Sequence, residues 1–485
     1  MRASSLPRAA RAAAASSSTL SRRAFSTAAV SKGKLDDPGY WVGAPDSKFT
    51  SQLKFYHPHV DPLPPTMPTF RLIDDDGVPI EGAVLPEIDK ETCVAMQETM
   101  VRVNEFDRVF YDAQRQGRLS FYFTNRGEEA QAVGSAAALK PEDWVWPQYR
   151  ELGVIFWRGY TMEECANRAC AHALSARLSC SRRHTLSPLH LSLSLSAECC
   201  HNELDATKGR QLPMHIGSPS LHCMYVKSNL GQQVPAANGA AYAMKLMKKK
   251  RCAITYFGEG CASEGDIPSA LNIAAVHGCP TIFFCRNNGY AISTHTDDQY
   301  KSDGIAPRGV AFGMPSIRVD GNDIFAVYAA TQEARRLGIE ENKPTMIEGM
   351  SYRINSHSTS DDDSKYRRSE SPQPGAAVDE RAYWEERSPI NRFGKYLINL
   401  GWWDMAHEEQ LRKHERQHAI KALNDAEALP NPHIKHLFTD VFDEKPGEPL
   451  PWHLEEQMAE LQDHLDRYRE HYSEIPGEQI DTLKP

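Results

Sequence analysis

The chain has 485 residues, 41% of them hydrophobic, which is enough apolar material for a large buried core. Its net charge is −9 at pH 7 with histidine neutral, and this acidic balance argues against nucleic acid as a partner. The 11 cysteines have no regular spacing, and no apolar run reaches the length of a membrane-spanning helix. The sequence therefore favours neither a disulfide framework nor a membrane protein.

Residues 1–30 have the composition of a mitochondrial transit peptide. They contain five arginines among Ala and Ser, and the first acidic residue of the chain is Asp36. Excluding those five arginines leaves 50 basic against 64 acidic side chains, a net charge near −14. We therefore expect a processed protein in the mitochondrial matrix.

The remaining chain divides into three regions by composition. Residues 31–90 are rich in Pro, Gly and Asp, which predicts an extended N-terminal arm that wraps a partner. Residues 91–378 alternate helix and strand patterns, after helical apolar spacing over Lys90–Gly117, and this alternation predicts an α/β layer structure. Residues 379–485 predict a helical C-terminal region.

Two apolar segments, Cys252–Phe257 and Pro280–Cys285, predict buried parallel strands. Residues 269–278 between them predict the crossover helix. A third unit is predicted over strand Ser316–Asp320, a helix capped at Asn322 or Asp323, and strand Thr345–Arg353. Together these elements predict a doubly wound parallel sheet flanked by helices.

Polar residues follow both apolar strands. Gly258-Glu259-Gly260 follow the first and Asn287-Asn288 the second, with 26 residues between Gly260 and Asn287. Since the carboxyl ends of parallel strands meet at one edge of a sheet, we expect these residues to lie together where such folds bind ligands. Glycines let the backbone approach phosphate oxygens, and carboxylate and amide oxygens suit Mg²⁺. This spacing is that of the thiamine-diphosphate signature, so a thiamine-diphosphate-binding fold with Mg²⁺ is predicted.

From about residue 40 to the C-terminus, apart from one insert, the chain resembles the alpha subunits of the branched-chain 2-oxo acid dehydrogenases. The likeness is carried by WPQYRELGV, KGRQLPMHIGS, YFGEGCASEGD, FFCRNNGYAIST, RVDGND and YRINSHSTSDD. It implies oxidative decarboxylation of branched-chain 2-oxo acids, with transfer of the acyl group to lipoamide on an acyltransferase core.

The resemblance also implies a set of site residues. The implied Mg²⁺ ligands are Glu259, Asn288 and the backbone carbonyl of Tyr290. The residues implied to line thiamine diphosphate are Tyr149, Arg150, Ser228, Gly260, Cys261, Arg286 and His357. The two guanidinium groups in this set match the geometry and charge of a diphosphate.

His357 is the residue expected to handle protons, because the cofactor performs the carbanion chemistry while the protein manages charge. By the resemblance, Ser358 corresponds to a serine that a dedicated kinase phosphorylates to stop activity, with a phosphatase as its counterpart. A phosphate there would add up to two negative charges beside the diphosphate and disorder the loop. The family's second phosphorylated serine falls on Arg368, beside Ser369, which argues against dual regulation.

A potassium site is implied at Lys227, Asn229, Gln232 and Gln233. Lysine stands at 227 where serine is usual, and glutamine stands at 232 where threonine is usual, so a side-chain hydroxyl ligand is lost. Backbone carbonyls could still coordinate the ion, and potassium stays an open expectation.

The resemblance further implies partners. Activation of the cofactor requires a glutamate from a second type of domain, and this chain contains only the diphosphate-binding type. A beta subunit is therefore implied, with an α2β2 heterotetramer that docks on the lipoyl-bearing acyltransferase core. Without that subunit the chain is expected to be inactive.

One segment does not fit a folded protein. Residues 171–198 interrupt the resemblance, and Cys165–Ala197 contains no acidic residue but includes the run LSLSLS. This composition suggests a retained intron that is translated into protein.

Two alternatives stay open. The pyruvate-type alpha subunit shares the fold and the magnesium motif, although HSTSDD and RNNGYAIST favour the branched-chain type. A non-catalytic assembly or regulatory subunit would keep the same fold. Intact Glu259, Asn288, Arg286 and His357 argue against it, whereas the insert and the altered potassium segment leave it room.

Overall fold

The computed structural model describes residues 41, 44, 46–169, 202–208, 210–367, 380–439, 441, 448–473, 475–481 and 483. The predicted transit peptide, the insert at 171–198, and the positions of Arg368 and Ser369 lie outside these residues.

A seven-stranded sheet, parallel at every pairing, is the centre of the fold. The described residues contain the strands of this sheet and of a separate ribbon, which in chain order are β1 (Phe49–Thr50), β2 (Thr69–Phe70), β3 (Trp144–Trp146), β4 (Ala253–Gly258), β5 (Thr281–Asn287), β6 (Tyr290–Ala291), β7 (Thr294–His295), β8 (Ser316–Asp320) and β9 (Thr345–Met350). The order across the sheet is β1-β2-β8-β9-β5-β4-β3, while β6 and β7 form a separate antiparallel ribbon.

Helices cover both faces of this sheet. They are α1 (Lys90–Arg115), α2 (Glu129–Ala138), α3 (Leu152–Trp157), α4 (Met162–Ala169), α5 (Gln233–Leu246), α6 (Asp266–His277), α7 (Thr296–Gln299), α8 (Ala306–Ala311), α9 (Ile324–Glu341), α10 (Glu380–Glu386), α11 (Pro389–Asn399), α12 (Met405–Ala428), α13 (Trp452–Arg467) and α14 (Gly477–Asp481). None of the helices in these ranges is long and apolar enough to cross a membrane.

Alternating side chains of the central strands explain the two helical layers. On β4, Ile254 and Tyr256 enter a core with α1, α2 and α9, whereas Ala253 and Phe257 enter a second core with α5 and α6. A strand that is apolar throughout must bury both faces, and only helices on both sides achieve this. The predicted doubly wound sheet with a helical C-terminal region is confirmed.

The structure decides which of two expected residues caps α9, and it ends β9 earlier than the sequence predicts. Asp323, and not Asn322, caps α9 by accepting from the backbone N–H groups of Phe325 and Ala326 at 3.0 and 3.1 Å. The strand predicted to reach Arg353 ends at Met350. Its neighbour β5 ends at Asn287, so beyond Met350 the Ser351 N–H meets only the last carbonyl of β5, and the Arg353 N–H donates to Asn288 in the turn.

The residues that border the insert are held together on one surface. The Asn202 side-chain amide donates to Asn167 Oδ1 at 3.0 Å and to the Ala426 carbonyl at 3.1 Å. The backbone N–H of Glu203 donates to the Pro430 carbonyl at 2.9 Å. Both borders are therefore fixed near the end of α12, whatever lies between them.

Deletion of residues 171–198 should leave the fold intact, because six residues would still connect Asn167 to Asn202. A shorter loop costs less closure entropy, so we expect unfolding free energy to rise by about 1 kcal/mol. Thermal unfolding followed by circular dichroism measures this. A deletion variant that loses cooperative unfolding would show that the insert is needed for the fold.

Candidate active site

The turns after β4 and β5 lie side by side at the carboxyl edge of the sheet. Gly258 pairs in register with Arg286, so Glu259 and Asn287 leave from equivalent positions on adjacent strands. The backbone N–H of Asn288 donates to Glu259 Oε2 at 3.3 Å. The structure thus brings together the two sequence segments that carry the predicted signature.

Glu259 presents an unsatisfied oxygen. The side chain is only 2% exposed, and its Oε1 has no hydrogen-bond partner among the described residues. Burial, with a smaller contribution from Glu128, raises the pKa of Glu259 to about 7. A buried carboxylate oxygen without a donor is costly, and a bound cation would remove that cost.

The other two predicted Mg²⁺ ligands, Asn288 and Tyr290, follow β5, and the backbone of Asn288 contacts this carboxylate. Asn288 Oδ1 accepts from the backbone N–H of Tyr290 at 3.3 Å, and its Nδ2 donates to Glu128 at 2.8 Å. The Tyr290 carbonyl accepts from Arg353 Nη1 at 3.2 Å. Over the described residues, no three His, Cys, Asp or Glu side chains group to hold a metal. A metal at Glu259 would therefore need phosphate or water oxygens as well, and this donor set fits Mg²⁺ bound to a diphosphate.

Gly260 allows the β6–β7 ribbon to approach the turn closely. A Cβ added at this position would lie 2.5 Å from the Cβ of Ala291. The neighbouring Cys261 is buried, and burial raises the pKa of its thiol to about 12. Cys261 is therefore a neutral, small side chain in this turn.

Arg286 and Arg150 are buried; two carboxylates pair with Arg286, whereas Arg150 bonds to the backbone carbonyls of Thr124 and His357. Arg286 pairs with Glu128 through Nη1 and with Glu151 through Nε, the latter at 2.5 Å. Burial lowers the pKa of Arg286, but the two carboxylates outweigh burial and raise it above its usual value. Arg150 Nε lies 4.0 Å from Glu128, and its Nη2 donates to the His357 carbonyl at 2.5 Å.

His357 packs against two aromatic side chains and lies beside Arg150. Its ring makes edge contacts with Phe123 and Tyr149, with centroids 5.4 and 5.9 Å apart. Burial first, and then Arg150 and Arg353, lower the pKa of His357 to about 3. Its Nδ1 is 3.4 Å from Arg150 Nη2, and a guanidinium can only donate. The neutral ring therefore carries its proton on Nε2 and can donate from that atom.

The loop after His357 is held by hydrogen bonds to the body of the fold. The His357 N–H donates to Asp361 at 2.8 Å, and Thr359 exchanges bonds with the Tyr122 backbone at 3.0 and 3.1 Å. Ser358 is half-buried in this loop, next to His357 in the chain.

Ser228 and the predicted potassium segment are more open. Ser228 is exposed and its hydroxyl lies 2.8 Å from Nε2 of the buried His215. Lys227, Asn229 and Gln232 are exposed as well. The amide nitrogen of buried Gln233 donates to the Tyr256 carbonyl at 3.0 Å.

Sequence reasoning missed Glu128 and Glu151. Both are buried, and both pair with Arg286. Glu128 and Glu129 stand at the start of a helix, where acidic residues are common because they interact favourably with the helix dipole. No local pattern in the sequence marks either glutamate as part of a site.

Comparison with known proteins gives one family. Residues 97–435 match the family model described as "Dehydrogenase E1 component". The chain is 44% identical over 439 residues to the 2-oxoisovalerate dehydrogenase subunit alpha, mitochondrial, of Homo sapiens, which covers 90% of this chain and 88% of that protein. It is 42% identical to the protein of the same name from Caenorhabditis elegans, over 89% and 90% of the two chains. It is also 40% identical to the Arabidopsis thaliana protein named subunit alpha 1, over 91% and 83%.

The close approach of Gly260 and Ala291 predicts that a methyl group added at position 260 can be compensated by removing the one at position 291. Gly260→Ala should weaken binding of thiamine diphosphate with Mg²⁺ about 10- to 100-fold, because the new methyl group displaces the ribbon at Ala291. The double variant with Ala291→Gly should recover most of that affinity. Titration calorimetry of the wild type and the two variants measures both effects, and a double variant as weak as Gly260→Ala would contradict the steric explanation.

Proposed function

The chain belongs to the dehydrogenase E1 component family, and we propose that it is the alpha subunit of a 3-methyl-2-oxobutanoate dehydrogenase (2-methylpropanoyl-transferring). It would take part in the oxidative decarboxylation of branched-chain 2-oxo acids and in transfer of the acyl group to lipoamide, in branched-chain amino acid catabolism. The observation that carries this proposal is identity above 40% to 2-oxoisovalerate dehydrogenase alpha subunits over about nine-tenths of the chain. Those relatives are named mitochondrial, and we place this protein in the mitochondrial matrix.

The family depends on thiamine diphosphate, and we propose Mg²⁺ as the bridging ion. Glu259 and Asn288 would hold the metal together with the Tyr290 carbonyl, and Arg150 and Arg286 would face the diphosphate. The unsatisfied oxygen of Glu259 supports the metal, and the guanidiniums support the anion. When bound, thiamine diphosphate supplies a carbon nucleophile for the 2-oxo group and accepts the electrons released with carbon dioxide. Potassium would depend on backbone carbonyls of the segment with Lys227, Asn229, Gln232 and Gln233, since the usual side-chain hydroxyl is lost there.

His357 would act as a neutral hydrogen-bond donor. Arg150 holds its Nδ1 side, which leaves Nε2–H for a negatively charged oxygen of the substrate or cofactor. Phe123 and Tyr149 pack against the ring and help to fix its orientation. A neutral imidazole that donates a hydrogen bond avoids adding a third positive charge beside Arg150 and Arg353.

We propose that phosphorylation of Ser358 by a kinase, reversed by a phosphatase, stops activity. Ser358 is half-buried and adjacent to His357, in a loop that Asp361 and Thr359 hold in place. A phosphate would add up to two negative charges close to the carboxylate of Asp361, which binds the His357 backbone. Repulsion would release the loop and misplace His357.

A beta subunit and a lipoyl-bearing acyltransferase core complete the proposed enzyme, as an α2β2 heterotetramer. An alpha subunit of an E1 component implies both partners. The beta subunit would supply the glutamate that activates the aminopyrimidine ring of the cofactor.

The substrate assignment is tested with this chain co-expressed with a beta subunit and supplied with Mg²⁺ and thiamine diphosphate. We expect kcat/KM for 3-methyl-2-oxobutanoate to exceed that for pyruvate at least about 10-fold, since each added methyl group in an apolar pocket contributes about that much. Preference for pyruvate would move the protein to the pyruvate-type alpha subunits. Absence of thiamine diphosphate binding by the assembled complex would favour the non-catalytic subunit.

Replacement of His357 by alanine should lower turnover about 100-fold or more without changing the shape of the pH profile between about pH 5.5 and 8.5. The reason is that the ring, with a pKa near 3, does not titrate in that window. His414→Ala, on the exposed side of α12, is the matched control. Normal turnover in His357→Ala would remove its assigned role, and loss of a pKa near 6.5 from the profile would contradict the neutral ring.

A further inference from the structure

Glu128 is a buried carboxylate that contacts both the proposed metal ligand Asn288 and the proposed diphosphate ligands, and the proposed function gives it no role. It lies at the N-cap of α2 and is 1% exposed. Its Oε1 accepts from Asn288 Nδ2 at 2.8 Å, and its Oε2 accepts from Arg286 Nη1. The same carboxylate lies 4.0 Å from Arg150 Nε. One side chain thus contacts a proposed metal ligand and both proposed diphosphate ligands.

The contact with Asn288 decides which end of its amide is available. An ionised carboxylate has only acceptors, so it can hold the NH₂ end of an amide and repels the oxygen end. On the opposite side, Asn288 Oδ1 accepts from the Tyr290 N–H at 3.3 Å, which fixes the same orientation independently. The amide oxygen is therefore turned away from Glu128, and oxygen is the atom that Mg²⁺ requires.

We propose that Glu128 is a positioning residue for the metal: it fixes the amide of Asn288 so that the oxygen is presented to Mg²⁺. This inference rests on the proposed function, since it assigns a role at the proposed metal site. Partners of metal ligands commonly control ligand orientation in this way, and their loss lowers metal affinity.

Glu151 provides a matched control within the same cluster. It is also buried and also pairs with Arg286, at 2.5 Å through Nε. Its second oxygen accepts from the Gln148 backbone at 2.7 Å. Over the described ranges no contact joins Glu151 to Asn288, so replacing it alters the arginine without altering the amide.

The experiment uses the complex with the beta subunit and measures the Mg²⁺ concentration that gives half-maximal binding of thiamine diphosphate, followed by quenching of tryptophan fluorescence. Glu128→Ala should raise that concentration about 10- to 100-fold. Glu128→Gln should raise it less, because its amide oxygen can still accept from Asn288. Glu151→Gln should weaken thiamine diphosphate binding and, when thiamine diphosphate is raised to saturate each variant, leave the Mg²⁺ requirement unchanged.

A second test exchanges the donor and the acceptor between positions 128 and 288, and it applies even if the Glu128→Ala variant does not assemble with the beta subunit. Asn288→Asp alone places two carboxylates face to face and should raise the Mg²⁺ requirement. Adding Glu128→Gln restores a donor and an acceptor in opposite order, so the double variant should need less Mg²⁺ than Asn288→Asp. The proposal would be overturned if the double variant needed at least as much Mg²⁺ as Asn288→Asp, because the two substitutions would then act independently.

The proposal is also overturned if Glu128→Ala keeps the wild-type Mg²⁺ requirement, or if Glu151→Gln shifts it equally. An equal shift would mean that Glu128 acts through Arg286. Failure of the wild-type complex to bind thiamine diphosphate at any Mg²⁺ concentration is a different result, because it removes the proposed function itself.

Discussion

Arg286 is buried at the end of β5, and a guanidinium removed from water is tolerated only where carboxylates replace the lost hydration. Glu128 reaches it from the start of α2, and Glu151 reaches it from the turn after β3. Three elements that are distant in sequence must therefore meet at one point. That point is the carboxyl edge of the sheet, beside the turns that carry Glu259 and Asn288.

The charges of this edge support the proposal that it holds a metal with a diphosphate. Arg286 is already neutralised by its two carboxylates, whereas Glu259 has an oxygen with no partner in the described structure. An isolated anion would have to compete with the carboxylates for the arginines, and an isolated cation would lack oxygens to complete its shell. A magnesium diphosphate brings both charges at once. His357, held neutral by burial, adds a donor without adding charge.

The sequence predicted the framework of this site because the framework is local. Apolar runs located β4 and β5, and helical spacing located α6. Glycines at the end of β4 and asparagines at the end of β5 showed where these strands stop. The Arg286–Glu128 pair joins residues 158 positions apart, and periodicity reveals which face of an element is buried but not which side chain it meets. Sequence reasoning places the end of β9 three residues too late, because β9 ends where its neighbour β5 stops, and the register between two strands is not visible in the sequence of either.

The most direct test of this account is an experimental structure of the complex with the beta subunit, grown with thiamine diphosphate and Mn²⁺ in place of Mg²⁺, in which anomalous scattering locates the metal. We expect a peak about 2.1 Å from Glu259 Oε1 and Asn288 Oδ1, with phosphate oxygens on the other side of the metal. We also expect that Asn288 Nδ2 still faces Glu128. A metal bound elsewhere, or Glu259 turned away from it, would contradict the central claim.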